Sequence, residues 1–306
     1  MFKNKNRFIQ FELWKDCSLG CKFCFNKKQK DTDKIESLKF IINKLDDKEM
    51  LEYNEIGFIG GEFFNVELKD ENVKKLFYQL FDKISKMHFE KIYITGALMY
   101  DIEIYLIPFL NYLKKISLLN KVLLCTSYDL KYRFYTEERE NLWKRNMLLL
   151  HKIYPELKLH TETVITQYFI NAVLNDEFNI KNFCDTYHTR LDYIEPTSGL
   201  YYKDKEECIK EIPDFFPTKE SFIKFLKKAG LENNDIDLKT FLSMEIRSNK
   251  LYYLDDGIRC ISQDRRENNG MIVPKDKSIK YEIGFADSNL NMPYVAKQFY
   301  IMTGKE

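Results

Sequence analysis

The chain has 306 residues, enough for one large α/β domain, or one domain with an appendage, and ample for a sizeable core. Its 48 Lys and Arg stand against 47 Asp and Glu, a balance that excludes a general nucleic-acid coat but not a local basic patch. No apolar run suits a membrane span, the opening MFKNKNRFIQFELW is not a signal peptide, and seven cysteines, an odd number, are no secreted disulfide framework, so a reduced cytoplasmic setting is expected.

In chain order, RFIQFELW reads as a strand that runs into a cysteine-rich loop, and IESLKFIINKL has apolar residues at helical spacing. EIGFIGGEFF reads as a strand stopped at Gly60-Gly61-Glu62, and NVKKLFYQLFDKISKM as an amphipathic helix. KIYITGAL, KVLLCTSYD, LKLHTETVIT and LDYIEP read as four further strands, the last stopped by Pro196. Between them, IEIYLIPFLNYLKKISLL, EERENLWKRNMLLLHKIY, QYFINAVLN and IKNFCDTY read as helices. TKESFIKFLKKAG follows as a helix with Thr218 as its N-cap and Gly230 beyond its end. Six alternations of strand and helix imply a parallel sheet covered by helices, two units short of a closed barrel. The expected fold is therefore α/β, a partial (β/α)6 barrel over 1–232, with a C-terminal α+β extension of unknown role over 233–306. In that extension IDLKTFLSMEIRS reads as a helix and NKLYYLDDGIRCIS as a hairpin turning at Asp255-Asp256-Gly257, the whole packed on the barrel as an appended module.

Chemistry in βα arrangements collects at the carboxyl ends of the strands. Here those ends offer the cysteines, Gly60-Gly61-Glu62, Thr95 and Gly96, Thr126, Ser127 and Asp129, Thr163 and Thr166, and Glu195. Cys17, Cys21 and Cys24 are spaced C-x3-C-x2-C, whereas Cys125, Cys184, Cys208 and Cys260 are isolated. A structural zinc site takes four ligands, commonly from paired CxxC knuckles, and no second knuckle is present. A [4Fe–4S] cluster normally takes four thiolates, so three from one loop leave one iron open to a cofactor.

This cysteine spacing after a first strand, with Phe23 before the last cysteine, resembles the motif of the radical S-adenosyl-L-methionine (radical SAM) superfamily. Gly60-Gly61-Glu62 is similar to that family's GGE(P) motif, with Phe63 in place of the proline. The resemblance covers about residues 8–230 and implies a [4Fe–4S] cluster on Cys17, Cys21 and Cys24, with S-adenosylmethionine (AdoMet) chelating the open iron. One-electron reduction, from a donor such as flavodoxin or ferredoxin, would cleave AdoMet to a 5′-deoxyadenosyl radical that abstracts a hydrogen atom, so the enzyme would be oxygen-sensitive. It further implies that Gly60, Gly61 and Glu62 meet the methionine ammonium, that Ser127 binds AdoMet and Arg133 its carboxylate, and that Thr163, with Thr166, meets the ribose. Phe23 would lie against the adenine.

Each residue has a plainer reading. The cysteines suit a zinc or structural cluster, Ser127 and Asp129 a helix cap, Arg133 a surface ion pair, and Cys125 a small buried hydrophobe. Phe63-Phe64 suits the core, Cys260 a structural place in the hairpin, and the four histidines have no metal-ligand spacing. Lys27, Lys28 and Lys30 beside the cluster loop suit a solvated loop better than a phosphate site. Few cysteines lie beyond the barrel midpoint, which argues against auxiliary clusters and favours a small-molecule, nucleotide or nucleic-acid substrate. The alternative is a peptide or protein substrate, including glycyl-radical activation, and a third reading is a non-catalytic Fe–S or zinc protein.

Overall fold

The computed structural model describes residues 6–14, 16–21, 24, 33–65, 68–134, 136–194, 210, 212–229, 251–253, 260–262, 281–286 and 294–301. Six strands, β1 (Asn6–Glu12), β2 (Glu55–Ile59), β3 (Lys91–Thr95), β4 (Val122–Ser127), β5 (Lys158–Val164) and β6 (Arg190–Ile194), lie side by side in sequence order, all parallel. Each strand pairs with its predecessor, which is the order of a barrel wall and not of a doubly wound sheet. The wall stays open, because the second neighbour of β1 is not β6.

Helices fill the crossovers: α1 (Lys34–Lys44), α2 (Glu71–Ser85), α3 (Leu106–Lys115), α4 (Glu137–Ile153), α5 (Gln167–Leu174) and α6 (Ile180–Tyr187), with α7 (Lys219–Lys228) after β6. Most starts are written in the sequence. Asp33, Asp70, Thr136, Thr166, Asn179 and Thr218 each accept a hydrogen bond from a backbone N–H of the first turn, contributing about 1 kcal/mol apiece. The helix expected from Ile102 begins only at Leu106. Pro108 has no N–H for the carbonyl of Ile104 and its ring crowds that carbonyl, so the helix cannot extend back through it.

The core is aromatic, as a chain with 15% Phe, Trp and Tyr allows. The Phe77 ring lies 5.1 Å from Phe109, 5.2 Å from Phe81 and 5.9 Å from Phe64, clamping α2 and α3 together over the exit of β2. Phe63 and Phe64 are fully buried in this cluster, so their core reading is the observed one. A second cluster joins β4 to α4 and α6: Trp143 stacks on Phe183 at 5.8 Å and donates from its indole N–H to Thr126 Oγ1 at 3.1 Å. Cys125 is buried in β4, as a small hydrophobe would be.

Further along, β7 (Leu251–Tyr253) and β8 (Cys260–Ser262) pair antiparallel, Tyr253 opposite Cys260, which is the expected hairpin. Its turn, the helix expected in IDLKTFLSMEIRS, and Phe23, Glu195, Pro196, Cys208 and the lysines at 27, 28 and 30 lie outside the described residues. Beyond the expectation of a module merely packed on the barrel, β9 (Tyr281–Ala286) and β10 (Tyr294–Ile301) join the sheet itself. They pair antiparallel with each other, and β10 runs parallel to β1 from Asn6–Tyr294 to Phe11–Phe299. No helix among the described residues is long and apolar enough to cross a membrane.

Among the described residues, two glycines stand at positive φ. Gly60 has φ +142°, and a Cβ there would collide with the Trp14 carbonyl. Gly20 has φ +67°, but a Cβ there would meet nothing within 4 Å. Gly60→Ala is expected to cost roughly 3 kcal/mol in urea unfolding, through strain and collision together. Gly20→Ala should cost only the left-handed penalty of about 1–2 kcal/mol.

Candidate functional site

The site begins where β1 and β2 end. Their pairing persists one step beyond the strands, with Leu13 N–H donating to the Ile59 carbonyl at 3.0 Å. Gly61 N–H then donates to the Trp14 carbonyl at 2.7 Å, and Glu62 N–H to the Asp16 carbonyl at 3.1 Å. The Trp14 indole N–H returns a bond to the Glu62 carbonyl at 2.9 Å. These bonds zip the entrance of the cysteine loop to the Gly-Gly-Glu turn, and Gly60 supplies the close approach that makes this possible.

Other elements hold the loop further along. Asp16 is ion-paired with Lys34 of α1 at 3.0 Å, and the Ser37 hydroxyl donates to the Leu13 carbonyl. Asn65 Nδ2 donates to Ser18 Oγ at 3.0 Å, and Arg139 Nη1, from the first turn of α4, to the Leu19 carbonyl at 2.9 Å. Arg133 Nη1 points to Cys21 Sγ at 3.8 Å, and Cys24 N–H closes a turn on the Cys21 carbonyl at 3.2 Å. Cys17 is exposed, Cys21 buried and Cys24 half-buried, and all three are free of disulfides.

Glu62 is buried, and its carboxylate is a backbone staple. Oε1 accepts from Phe63 N–H at 2.9 Å and Phe64 N–H at 3.0 Å, and Oε2 from Ala97 N–H at 2.7 Å. The carboxylate therefore ties the β2 exit to the β3 exit, next to Gly96.

A second constellation forms at the exits of β4 and β5. Asp129, 4% exposed, accepts from Val164 N–H at 2.7 Å and from Thr163 Oγ1 at 3.5 Å through Oδ1. Its Oδ2 takes Arg133 Nε at 2.6 Å, and the Arg133 side chain is 16% exposed. This is a buried ion pair, in place of the surface pair that the plainer reading gave. Helix capping does not explain Asp129 either, since α4 is capped by Thr136. Ser127 sits half-buried at the end of β4, in register with Glu162 of β5, while Thr166 caps α5.

Although the residue reaches the surface, protein packed around its sulfur desolvates the Cys17 thiol and pushes it up to about 12; the Glu62 carboxylate and the other two cysteines add to the shift, and a backbone hydrogen bond from Leu19 opposes it. The guanidinium of Arg133 is held above its ordinary range by Asp129 and Cys21, with a smaller contribution from Cys24, against the opposing effect of burial. Cys17, beside a buried carboxylate and two further sulfurs, is a poor thiolate until a cationic centre joins it. Among the described residues no three or more His, Cys, Asp or Glu side chains are drawn together as ligands of one metal ion. A four-iron cluster needs no such convergence, because each thiolate binds a different iron. The donor set fits that group.

The structure thus brings Cys21, Cys24 and Glu62 into electrostatic reach of Cys17, sets Arg133 within reach of Cys21 and Cys24, and joins Thr163 to Arg133 through Asp129. Gly60 and Gly61 lie against Trp14. Spacing left Trp14, Asn65 and Arg139 unmarked. Arg139 carried one signal: a cation in the first turn of a helix, among Glu137, Glu138 and Glu140, opposes the helix dipole and calls for a reason. The histidines contribute elsewhere: His88 bonds the Tyr53 carbonyl, and His151 and His188 stack at 3.6 Å.

Glu62→Gln sets an amide NH2 among backbone donors and is expected to lower stability by about 1–3 kcal/mol in urea unfolding. Arg139→Leu is expected to speed amide exchange across 16–21 while leaving the middle of α4 protected.

No family model matches the chain, and no curated protein does. Solved structures do. Native anSMEcpe with bound AdoMet and Cp18Cys peptide matches at a TM-score of 0.50 and 17% identity, over 77% of this chain and 62% of that one. Native anSMEcpe with bound AdoMet and Kp18Cys peptide gives 0.49 at 18% identity, over 78% and 62%. This chain therefore spans less than two thirds of the length of the structures it matches. The anSMEcpe protein is an anaerobic sulfatase-maturating enzyme and a radical SAM enzyme. At this identity the likeness is one of fold alone, an open parallel barrel wall covered by helices.

Proposed function

We propose that this chain is a radical SAM enzyme, with its cofactor site in 1–232 and 233–306 as an appended module. The observation that carries the reading is the three-cysteine loop zipped, at the open end of a parallel barrel wall, to a Gly-Gly-Glu turn. Cys17, Cys21 and Cys24 would hold a [4Fe–4S] cluster, and Gly60, Gly61 and Glu62 the ammonium of AdoMet. Glu62 comes to that task already oriented by three backbone amides. Ser127 and Thr163 are assigned to the nucleoside side of AdoMet, with Phe23 against its adenine. Arg133 offers five N–H donors, and the AdoMet carboxylate is assigned to the same guanidinium that meets Asp129 and Cys21. When bound, cluster and AdoMet would supply a one-electron reductive cleavage that yields a hydrogen-abstracting 5′-deoxyadenosyl radical. The electron would come from a flavodoxin- or ferredoxin-like donor.

Two substrate classes are carried forward. The scarcity of cysteines after the barrel midpoint supports a small molecule, nucleotide or nucleic acid. The peptide bound in the anSMEcpe structure of like fold supports a peptide or protein. Stimulation of AdoMet cleavage by nucleotide pools or by peptide pools separates the two.

Anaerobically reconstituted protein is expected to hold about four irons and matching sulfide per chain and to turn AdoMet into 5′-deoxyadenosine under dithionite. Cys17→Ala, Cys21→Ala and Cys24→Ala should each lose the cluster, read as iron content and colour. A zinc ion in place of iron, or a full cluster in any of the three variants, would overturn the assignment. Glu62→Ala should weaken AdoMet binding at least tenfold while iron content stays at the wild-type level.

A further inference from the structure

Among the contacts of Arg133, two are of opposite character. Nε donates to Asp129 Oδ2 at 2.6 Å, and Nη1 points to Cys21 Sγ at 3.8 Å. The guanidinium thus stands between a carboxylate and a sulfur. Asp129 does not float: Val164 N–H at 2.7 Å and Thr163 Oγ1 at 3.5 Å fix its other oxygen to the end of β5. With side chains 16% and 4% exposed, the pair sits where water screens little. A surface ion pair would not need this bracing, and an Arg that served AdoMet alone would not need to face a cysteine sulfur.

We propose that Arg133 and Asp129 form a charge pair that sets the reduction potential of the cluster on Cys21, the cation raising it and the carboxylate limiting the rise. The inference rests on the proposed radical SAM reading. The step it governs is the entry of one electron from a low-potential donor of the flavodoxin or ferredoxin class into the cluster. The cluster gains one negative charge, the donor loses one electron, and no bond or proton moves. A cation beside a ligand sulfur, donating N–H to it, favours the more negative state. A carboxylate beyond that cation offsets part of its field.

The opposite signs make the test. Full-length protein is reconstituted anaerobically and titrated without AdoMet, with the reduced cluster followed by electron paramagnetic resonance. Arg133→Met is expected to shift the one-electron equilibrium at least tenfold toward the oxidised form, about 59 mV lower in midpoint. Asp129→Asn, which keeps the cation and removes its counter-charge, is expected to shift it toward the reduced form by a similar factor. Arg133→Lys should fall nearer wild type than Arg133→Met. A pair that only braces the fold would move both variants in the same direction or in neither, and either result overturns the proposal. If Arg133→Met fails to retain iron, Asp129→Asn and Arg133→Lys decide: the first must rise and the second must not exceed wild type. Wild-type protein that takes up no [4Fe–4S] cluster by iron and sulfide content would sink the radical SAM reading itself. Intact clusters with unmoved potentials would sink only this one.

Discussion

The whole site depends on the first bonds beyond the β1–β2 ladder. Once the Trp14 and Asp16 carbonyls have accepted from Gly61 and Glu62, the start of the cysteine loop is held against the Gly-Gly-Glu turn. The constraint is steric as well as polar, because Gly60 approaches Trp14 so closely that any side chain would part the two segments. Glu62 carries the same constraint sideways to β3, so three neighbouring strand ends are fixed by one carboxylate and a few backbone amides.

An open wall of six strands makes such a site practical. Parallel strands present their carboxyl ends on one side, and each adds a polar group to the rim without disturbing the apolar layers below. The aromatic clusters behind β2 and β4 give the rim a stiff backing: Phe77 with Phe81, Phe64 and Phe109, and Trp143 with Phe183. Rigid backing lets polar groups at the exits hold orientation, which buried charges such as Asp129 and Arg133 require if they are to remain hydrogen-bonded.

Much of this was legible in the chain because it is local. Strand and helix alternation follows apolar periodicity, helix starts follow capping residues such as Thr136 and Thr218, and the Gly-Gly-Glu turn announces itself by its glycines. What was illegible is long-range. The partner of Arg133 on the cysteine loop lies 112 residues away, and that of Arg139 lies 120 away, distances over which spacing carries no information. The return of β9 and β10 to the sheet is hidden for the same reason: β10 pairs with β1, from the other end of the chain, and no spacing links the two. At α3 the signal was present, since Pro108 limits how far the helix reaches back, but the apolar pattern around it pointed the other way.

The grips on the cysteine loop come from α1, β2, α4 and the segment after β4, so they exist only in the finished fold. The order of assembly follows. A nascent chain offers three unrelated thiols, open to oxidation and to adventitious metals, and only the completed barrel presents them as a set. Under the proposed function, iron would then be inserted last, and a centre that binds the native state alone would lock in the very contacts that created its berth.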